Sequence, residues 1–283
     1  MHPVLPPRPV IGILHPGALG AAVGNALKPV AGAVIWAAAG RSLTTSKRAE
    51  TADLVGVPDV AELARRADVV ISVCPPDAAR AVAEEVAPLL SRPAQLFVDA
   101  NAVSPATVTG IAELLGTERV VDGAIIGPPA WEPGRTVVWL AGAAAPAVAA
   151  LFAGSPFAAR VLLGPVGSAS ALKACFAFQS KALPTLWVQL DAAARAYGVS
   201  DEIREELHRT GVDLDGKLAG IDAQARGKAW RWVGEMQEAA ETFAAVGLPD
   251  GFSRAAAETY ERMAAADPTD RANPWGLRGP AER

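Results

Sequence analysis

The sequence predicts an α/β protein in two parts: a doubly wound, mostly parallel sheet, then an all-helical half joined to it by a long helix. Three observations carry this. Short apolar runs rich in β-branched residues alternate with helical stretches from residue 10 to about residue 163. The first run leads straight into a glycine turn and a helix of small residues, VIGILHPGALG (10–20). After Gly164-Pro165-Val166-Gly167 the strands stop, and helical spacing continues to about Ala265. The sheet half is therefore Rossmann-type. The domains read as 1–163, 164–266 and a Pro/Gly-rich tail, 267–283, expected to be loosely held.

Composition narrows the function classes. The chain has 283 residues, half of them apolar, and a formal charge of −4 with acids and bases interspersed. No basic block invites nucleic acid. Cys74 and Cys175 stand far apart, which fits neither a disulfide framework nor a structural zinc site and suits a reducing cytoplasm. No histidine, cysteine and carboxylate constellation suggests a metal. The start, MHPVLPPRPV, lacks the apolar core of a signal peptide, and no run approaches the ~20 apolar residues of a membrane span.

Taken in order, Val10, Ile11, Ile13 and Leu14 form a strand buried on both faces. His15-Pro16-Gly17 ends it, and Ala18 to Leu27 is the first helix. Such a turn lets backbone N–H groups and a helix N-terminus meet a pyrophosphate. The match to GxGxxG is partial: His15 takes the first glycine's place, and Gly17 and Gly20 hold the other two. Plain packing is the other reading of such a turn. His15, Pro16, Gly17, Ala18, Leu19 and Gly20 are thus candidate cofactor contacts; an acid/base role for His15 is the lesser alternative. Ala33 to Ala37 is the second strand. Beyond it stands no Asp or Glu for an adenosine ribose but Arg41, Ser42, Thr44, Thr45, Ser46, Lys47 and Arg48. A guanidinium and hydroxyls suit a 2′-phosphate, which points to NADP(H) rather than NAD(H); a solvated polar loop opening a helix is the alternative.

Asp68 to Val73 is the next strand, closed by Cys74-Pro75-Pro76. Leu96 to Val98 follows, ending at Asp99-Ala100-Asn101-Ala102, and Ser104-Pro105 opens a helix. Further strands are expected from Val120 to Gly127-Pro128-Pro129, at Val137–Leu140 and at Val161–Leu163. In open sheets of this kind ligands lie outside the carboxyl ends of the strands, which gathers 15–20, 41–42, 74–76, 99–104 and 125–129 around one crevice. In the second half a long helix runs from Ser168 to about Tyr197, with Pro184 as its one point for a kink. Ser200 reads as an N-cap, Lys228–Val246 as a helix with Trp232, Met236, Ala239 and Phe243 on one face, and 251–265 as a last helix.

Lys173 is the one charged residue of GPVGSASALKACFAFQS (164–180). A lysine among small and apolar residues needs a partner or a cavity; snorkelling at a helix edge is the plain alternative. Facing a nicotinamide, its ammonium could give a proton to an oxygen becoming an alkoxide, and neutral lysine could take it back in the oxidation direction. Burial would lower its pKa toward neutrality, which suits both roles.

GILHPGALG, DANAVSP (99–105), DGAIIG (122–127) and GPVGSASALK (164–173), in this order and spacing, resemble the β-hydroxyacid dehydrogenase superfamily, which includes 3-hydroxyisobutyrate and 6-phosphogluconate dehydrogenases and the related imine reductases. The resemblance runs from Val10 to about Ala265. It implies a nucleotide-binding domain, an interdomain helix and a helical domain interlocked in a homodimer. It puts Lys173 on the family's catalytic lysine, and Asn101 and Ala102 on the loop between nicotinamide and substrate. The sequence departs from the family at Ala169, at Ala177 (usually asparagine), at Ile126 (usually a substrate-binding serine) and near Gly234 (usually a second lysine). Ala102, Ile126, Gly127, Phe176, Ala177, Trp232, Glu235 and Met236 become candidate substrate contacts, and Ile126, Phe176, Trp232 and Met236 among them would form an apolar wall. Imine reductases share the DGAIIG-like string but generally carry Asp or Tyr in place of Lys173.

The expected function is an NADP(H)-dependent oxidoreductase moving hydride to or from a carbonyl/alcohol centre of a mostly apolar or bulky small molecule, with Lys173 as acid/base. An imine reductase acting on C=N is the first alternative, and a non-catalytic cofactor-binding interaction protein the second. Cys175 is read as a small buried cysteine.

Overall fold

The computed structural model describes residues 4–225, 227–266 and 275–277. The chain divides into two compact units, Met1–Lys173 and Ala174–Arg283. The division falls inside the helix that starts at Ser168, later than the 163/164 boundary expected from composition.

In the first unit eight strands form one sheet: β1 (Val10–Ile13), β2 (Ala33–Ala37), β3 (Val55–Val57), β4 (Val69–Ser72), β5 (Leu96–Asp99), β6 (Val120–Ile126), β7 (Val137–Ala141) and β8 (Ala158–Val161), in the order β3-β2-β1-β4-β5-β6-β7-β8. All neighbours are parallel except β6 and β7, which form an antiparallel pair. The core lies on both faces. One is covered by α1 (Ala18–Leu27), α2 (Leu43–Thr51) and α6 (Ala145–Leu151), the other by α3 (Val60–Arg66), α4 (Ala79–Val86) and α5 (Pro105–Leu115). Double coverage is why the strands read as unbroken apolar runs: Ile11, Ile13, Ile35 and Leu96 are wholly shielded. Each such side chain contributes roughly 1.5–3 kcal/mol by leaving water. The chain order reverses between β3-β2-β1 and β4-β5-β6, so the crevice sits at the carboxyl ends of β1 and β4.

Some elements depart from the sequence reading. The strand expected at Val161–Leu163 is Ala158–Val161, because its parallel register with β7 starts at Ala158 opposite Val137; Leu163 is left fully exposed. The strand β3 and the helices α3 and α6 were not singled out. β3 has only three residues, one of them glycine, too few to display a period.

The second unit is helical. The expected helix from Ser168 to Tyr197 is α7 (Ser168–Ala177) and α8 (Leu183–Tyr197), joined by a π-helical turn over Phe178–Ala182. Pro184 lies in the first turn of α8. Its ring has no N–H and would crowd the carbonyl four residues back, and the wider π turn relieves both. Then come α9 (Ser200–Arg209), α10 (Leu214–Ala225), α11 (Ala229–Ala244) and α12 (Gly251–Ala265). Ser200 is the first helical residue rather than the cap, which is Val199. The helix α10 was not foreseen. Asp191 of α8 is fully buried; it accepts hydrogen bonds from Arg195 (2.8 Å) and from Arg204 of α9 (2.9 Å). Most of the tail expected at 267–283 lies outside the described residues. Trp275 is not loose but buried against Val188, Leu214 and Leu218.

Candidate functional site

In the N-terminal unit β1 runs into the turn His15-Pro16-Gly17, where the Gly17 N–H donates to the His15 carbonyl (2.8 Å) and Gly17 caps α1. At Gly20 a side-chain carbon would sit 2.3 Å from the His15 carbonyl oxygen, so only glycine lets the first turn of α1 close on this loop. At Gly17 a side-chain carbon would meet nothing within 4 Å. The protein's own packing does not require glycine there, and the space before the helix N-terminus is open, as a backbone cradle for an anion needs. Pro16 is buried behind the turn, while Ala18 is exposed beside it and Leu19 half-buried.

Arg41 follows β2. Its Nε and the Nδ1 of His15 are both shut off from solvent without a hydrogen-bond partner among the described residues. Burial first, then the charge of Arg41, hold the His15 imidazole down at about 4, so it is neutral at neutral pH. Ser42 caps α2: its Oγ accepts the Thr45 N–H (3.2 Å) and its hydroxyl lies 3.1 Å from Thr45 Oγ1. Lys28, Arg65, Arg66, Arg80 and Arg92 of this unit are ion-paired. Arg41, Lys47 and Arg48 form no ion pair among the described residues. Between α1 and α2 a cavity of about 370 Å³ lies against Thr44, Lys47, Arg48 and Trp131. An open anion cradle, an orphaned guanidinium N–H and an acid-free group of cations are what a phosphorylated dinucleotide requires, and these residues fit NADP(H).

The loops after β4 and β5 are locked together. Asn101 is buried; its Oδ1 accepts the Cys74 N–H (2.6 Å), and its amide donates to Ser72 (3.1 Å) and to Asp99 (3.0 Å). Both amide N–H groups are engaged inside the protein, so Asn101 positions the Cys74-Pro75-Pro76 loop where a direct cofactor contact was expected. Burial pushes the Cys74 thiol up to about 11, which makes it no nucleophile at neutral pH. Pro75 is exposed at the rim, Pro76 is buried, and Ala102 is half-buried.

Lys173 lies on α7, and its ammonium donates to the carbonyl oxygen of Ile125 (2.8 Å), one residue before the end of β6. What fixes this is a residue the sequence reading quoted without assigning it a role. Asp122, buried on β6, accepts the backbone N–H groups of Gly167 (2.8 Å), Ala169 (2.8 Å) and Ser170 (3.1 Å) on one oxygen and the Ser170 hydroxyl (2.7 Å) on the other. A strand carboxylate thus caps the helix that carries the lysine. Burial pushes the Asp122 carboxyl up, and these hydrogen bonds pull it back. An acid inside VVDGAII was the available signal, since a buried charge must find partners. Ile126 is half-buried and Gly127 exposed at the same strand end.

The remaining expected substrate contacts lie in the helical unit. Cys175 and Phe176 are exposed on α7, so the expectation of a buried Cys175 fails: that side of the helix faces away from the unit's own core. Ala177 and Met236 are buried in that core with Tyr260, and Trp232 packs against it; Met236 has no surface to offer a ligand within the unit. Glu235 forms an ion pair with Lys181, a residue of the π turn not singled out from sequence. The Lys181 ammonium stands 5.6 Å from the centre of the Trp232 ring, and the Tyr260 hydroxyl donates to the Lys181 carbonyl (2.8 Å). Burial, then the Glu235 charge, push the Tyr260 phenol up. Among the described residues no group of histidines, cysteines and carboxylates could hold a metal ion, and no helix is long and apolar enough to cross a membrane.

Known proteins place this geometry among relatives. A domain of unknown function (DUF1932) matches residues 194–263. An uncharacterized 28.5 kDa protein in the 7S RNA 5′ region of Methanothermus fervidus is 30% identical over 172 residues, 60% of this chain and 65% of that protein's length. A conserved hypothetical protein from Sinorhizobium meliloti is 27% identical, with a TM-score of 0.68 over 93% of this chain and 91% of its own. The 3-hydroxyisobutyrate dehydrogenase of Mycobacterium tuberculosis, solved with L-serine, is 18% identical, with a TM-score of 0.64 over 91% of this chain and 94% of its own. An imine reductase from Myxococcus stipitatus, in complex with NADP+, is 17% identical, with a TM-score of 0.54 over 91% of this chain and 94% of its own. The protein has the fold of the 3-hydroxyacid dehydrogenases, as the resemblance in sequence implied.

Proposed function

We propose that the protein is an NADP(H)-dependent oxidoreductase that reduces a carbonyl, or oxidises the corresponding alcohol, on a mostly apolar or bulky small molecule, with Lys173 as acid/base. The observation that carries this is the Lys173 ammonium held at the Ile125 carbonyl, at the carboxyl end of the sheet that also bears the glycine turn. The fold shared with a 3-hydroxyisobutyrate dehydrogenase and with an NADP+-bound imine reductase supports it.

When bound, NADPH supplies the hydride. The open turn at Gly17 and the cations after β2 bind its phosphates, and Asn101 holds the Cys74 loop that bounds the crevice. The Asp122 cap fixes the first turn of α7, which sets the height of Lys173 above β6. Lys173 holds its proton against the Ile125 oxygen until a substrate oxygen gains charge, then delivers it; in oxidation it receives the proton. Ile126 offers no hydrogen bond to a small carboxylate, which favours an apolar substrate.

Titration with NADPH and NADH, followed by nicotinamide fluorescence, should show preference for NADPH that Arg41→Ala weakens. In a screen of oxo compounds and cyclic imines, Lys173→Ala should retain NADPH binding and lose about 10²-fold or more of carbonyl turnover. Undiminished turnover would dismiss the lysine mechanism. The apolar strand end at Ile126 also suits an imine. An iminium already carries its proton, so turnover of imines alone, insensitive to Lys173→Ala, would establish that second reading.

The helical unit leaves Leu183, Leu186, Val246, Leu248 and Phe252 exposed, with a cavity of about 420 Å³ between α8 and α12. A homodimer through this unit would cover them, and light scattering on the eluted protein tests it by mass.

A further inference from the structure

The arrangement at His15 and Arg41 asks for more than a generic anion. The Nε–H of a guanidinium is a donor only, so the orphaned Arg41 Nε lacks an acceptor, and burial keeps bulk water from supplying one. His15 Nδ1 is orphaned in the same way. Arg41 is the charged group whose field acts on His15. Helix α1 carries no ionisable side chain, the segment from Arg41 to Arg48 contains no acid, and Cys74, at the end of the neighbouring β4, stays a neutral thiol. An acceptor with more than one negative charge would satisfy Arg41, cancel the field that adds to burial in keeping the imidazole neutral, and offer the imidazolium an ion partner that offsets its burial.

We propose that His15 and Arg41 together grip the 2′-phosphate of the adenosine ribose, His15 becoming the second cation of the pair only as that phosphate seats. The proposal rests on the cofactor reading above and deepens it. A glycine at position 15 would leave the turn without a charge. Histidine leaves the empty turn with one cation instead of two, avoiding their mutual repulsion, and gains a charge-assisted hydrogen bond when the dianion arrives. The proton comes from solvent and stays on the imidazole; no covalent bond changes. Binding of a 2′-phosphorylated dinucleotide is therefore coupled to proton uptake, and discrimination against the unphosphorylated form sharpens as pH falls.

The test is calorimetric titration of the full chain with 2′-phospho-ADP-ribose and with ADP-ribose at about pH 6, in two buffers of different ionisation enthalpy. The 2′-phospho ligand should take up on the order of one proton more in the wild type than in His15→Asn. The variant removes from the comparison the phosphate's own titration near pH 6. It should bind that ligand about 10-fold more weakly at pH 6 yet about equally at pH 9, where the imidazole has no proton to give. Proton NMR of the His15 ring should show its pKa rising by about three units on saturation. Equal proton uptake in wild type and His15→Asn would overturn the proposal and leave the cofactor reading standing. The same uptake with ADP-ribose would make the pyrophosphate the anion and overturn the 2′ assignment. Failure of both ligands to bind would overturn the cofactor reading, and the proposal with it.

Discussion

Asp122 and Ser170 meet through both carboxylate oxygens: one accepts the Ser170 hydroxyl at 2.7 Å, the other its backbone N–H at 3.1 Å. They are 48 residues apart, one on a strand of the sheet and one in the first turn of α7. A helix N-terminus leaves N–H groups unsatisfied, and here a carboxylate from the sheet supplies acceptors for three of them. Lys173, one turn further along, owes its position over Ile125 to that cap.

Asp122→Ala should therefore cost more than a surface cap. Leaving buried N–H donors without acceptors is worth about 1–3 kcal/mol, and chemical denaturation should read a loss of that order. Lys173 remains present in the variant but is no longer held, so kcat should fall with little change in NADPH affinity. Wild-type stability and kcat together would show the cap to be dispensable.

The two glycines of the turn should separate cleanly. Gly20→Ala drives a carbon into the His15 carbonyl and should lower Tm while disturbing cofactor binding. Gly17→Ala meets nothing in the protein, so Tm should hold while NADPH affinity drops, because the new methyl occupies the space left for the phosphates. Unchanged affinity in Gly17→Ala would remove the cradle from the turn.

His15 makes the stability of the cofactor-free protein depend on pH. Its folded value, about 4, lies below the ordinary 6.5, so between these values the unfolded chain binds more protons. The stabilisation is complete above pH 6.5 and is lost as pH falls toward 4. Thermal melts from pH 7 to pH 4 should show a decline that is shallower in His15→Asn. Parallel declines in the two proteins would refute the assignment to His15.

Lys181 and Glu235 are mostly shielded from solvent, so breaking the pair should cost more than deleting it. Lys181→Met alone should destabilise by about 3 kcal/mol, and the double variant Lys181→Met/Glu235→Leu should recover much of that. Additive losses in a double-mutant cycle would mean that the two charges act independently.

Much of the N-terminal unit was legible because its strands are buried on both faces and its breaks fall at glycine and proline. Strands β1, β2, β4, β5, β6 and β7 stand within a residue or two of their expected places. The three-residue strand β3 was not, and β8 took its bounds from pairing with β7 rather than from its own pattern. For the candidate site, residue type and spacing singled out Gly17, Gly20, Arg41 and Lys173, whose roles remain the proposal above. Asn101 was read as a ligand contact, whereas its amide is spent on Ser72 and Asp99.

The sequence by itself determined the alternation of strands and helices up to about residue 163 and the helical half after it, the glycine turn, the absence of an acid after β2 and a lone lysine on an apolar helix. These are local properties, set by side-chain type and period along the chain. The tertiary structure alone decided that Asp122 caps α7, that Lys173 rests on Ile125, that His15 is neutral beside Arg41 and that Lys181 finds Glu235. Each joins residues distant in sequence, and a buried polar group's partner is chosen by which atoms the packed elements bring within hydrogen-bond reach. Residue type shows that such a partner is needed; only the packing shows which one is there.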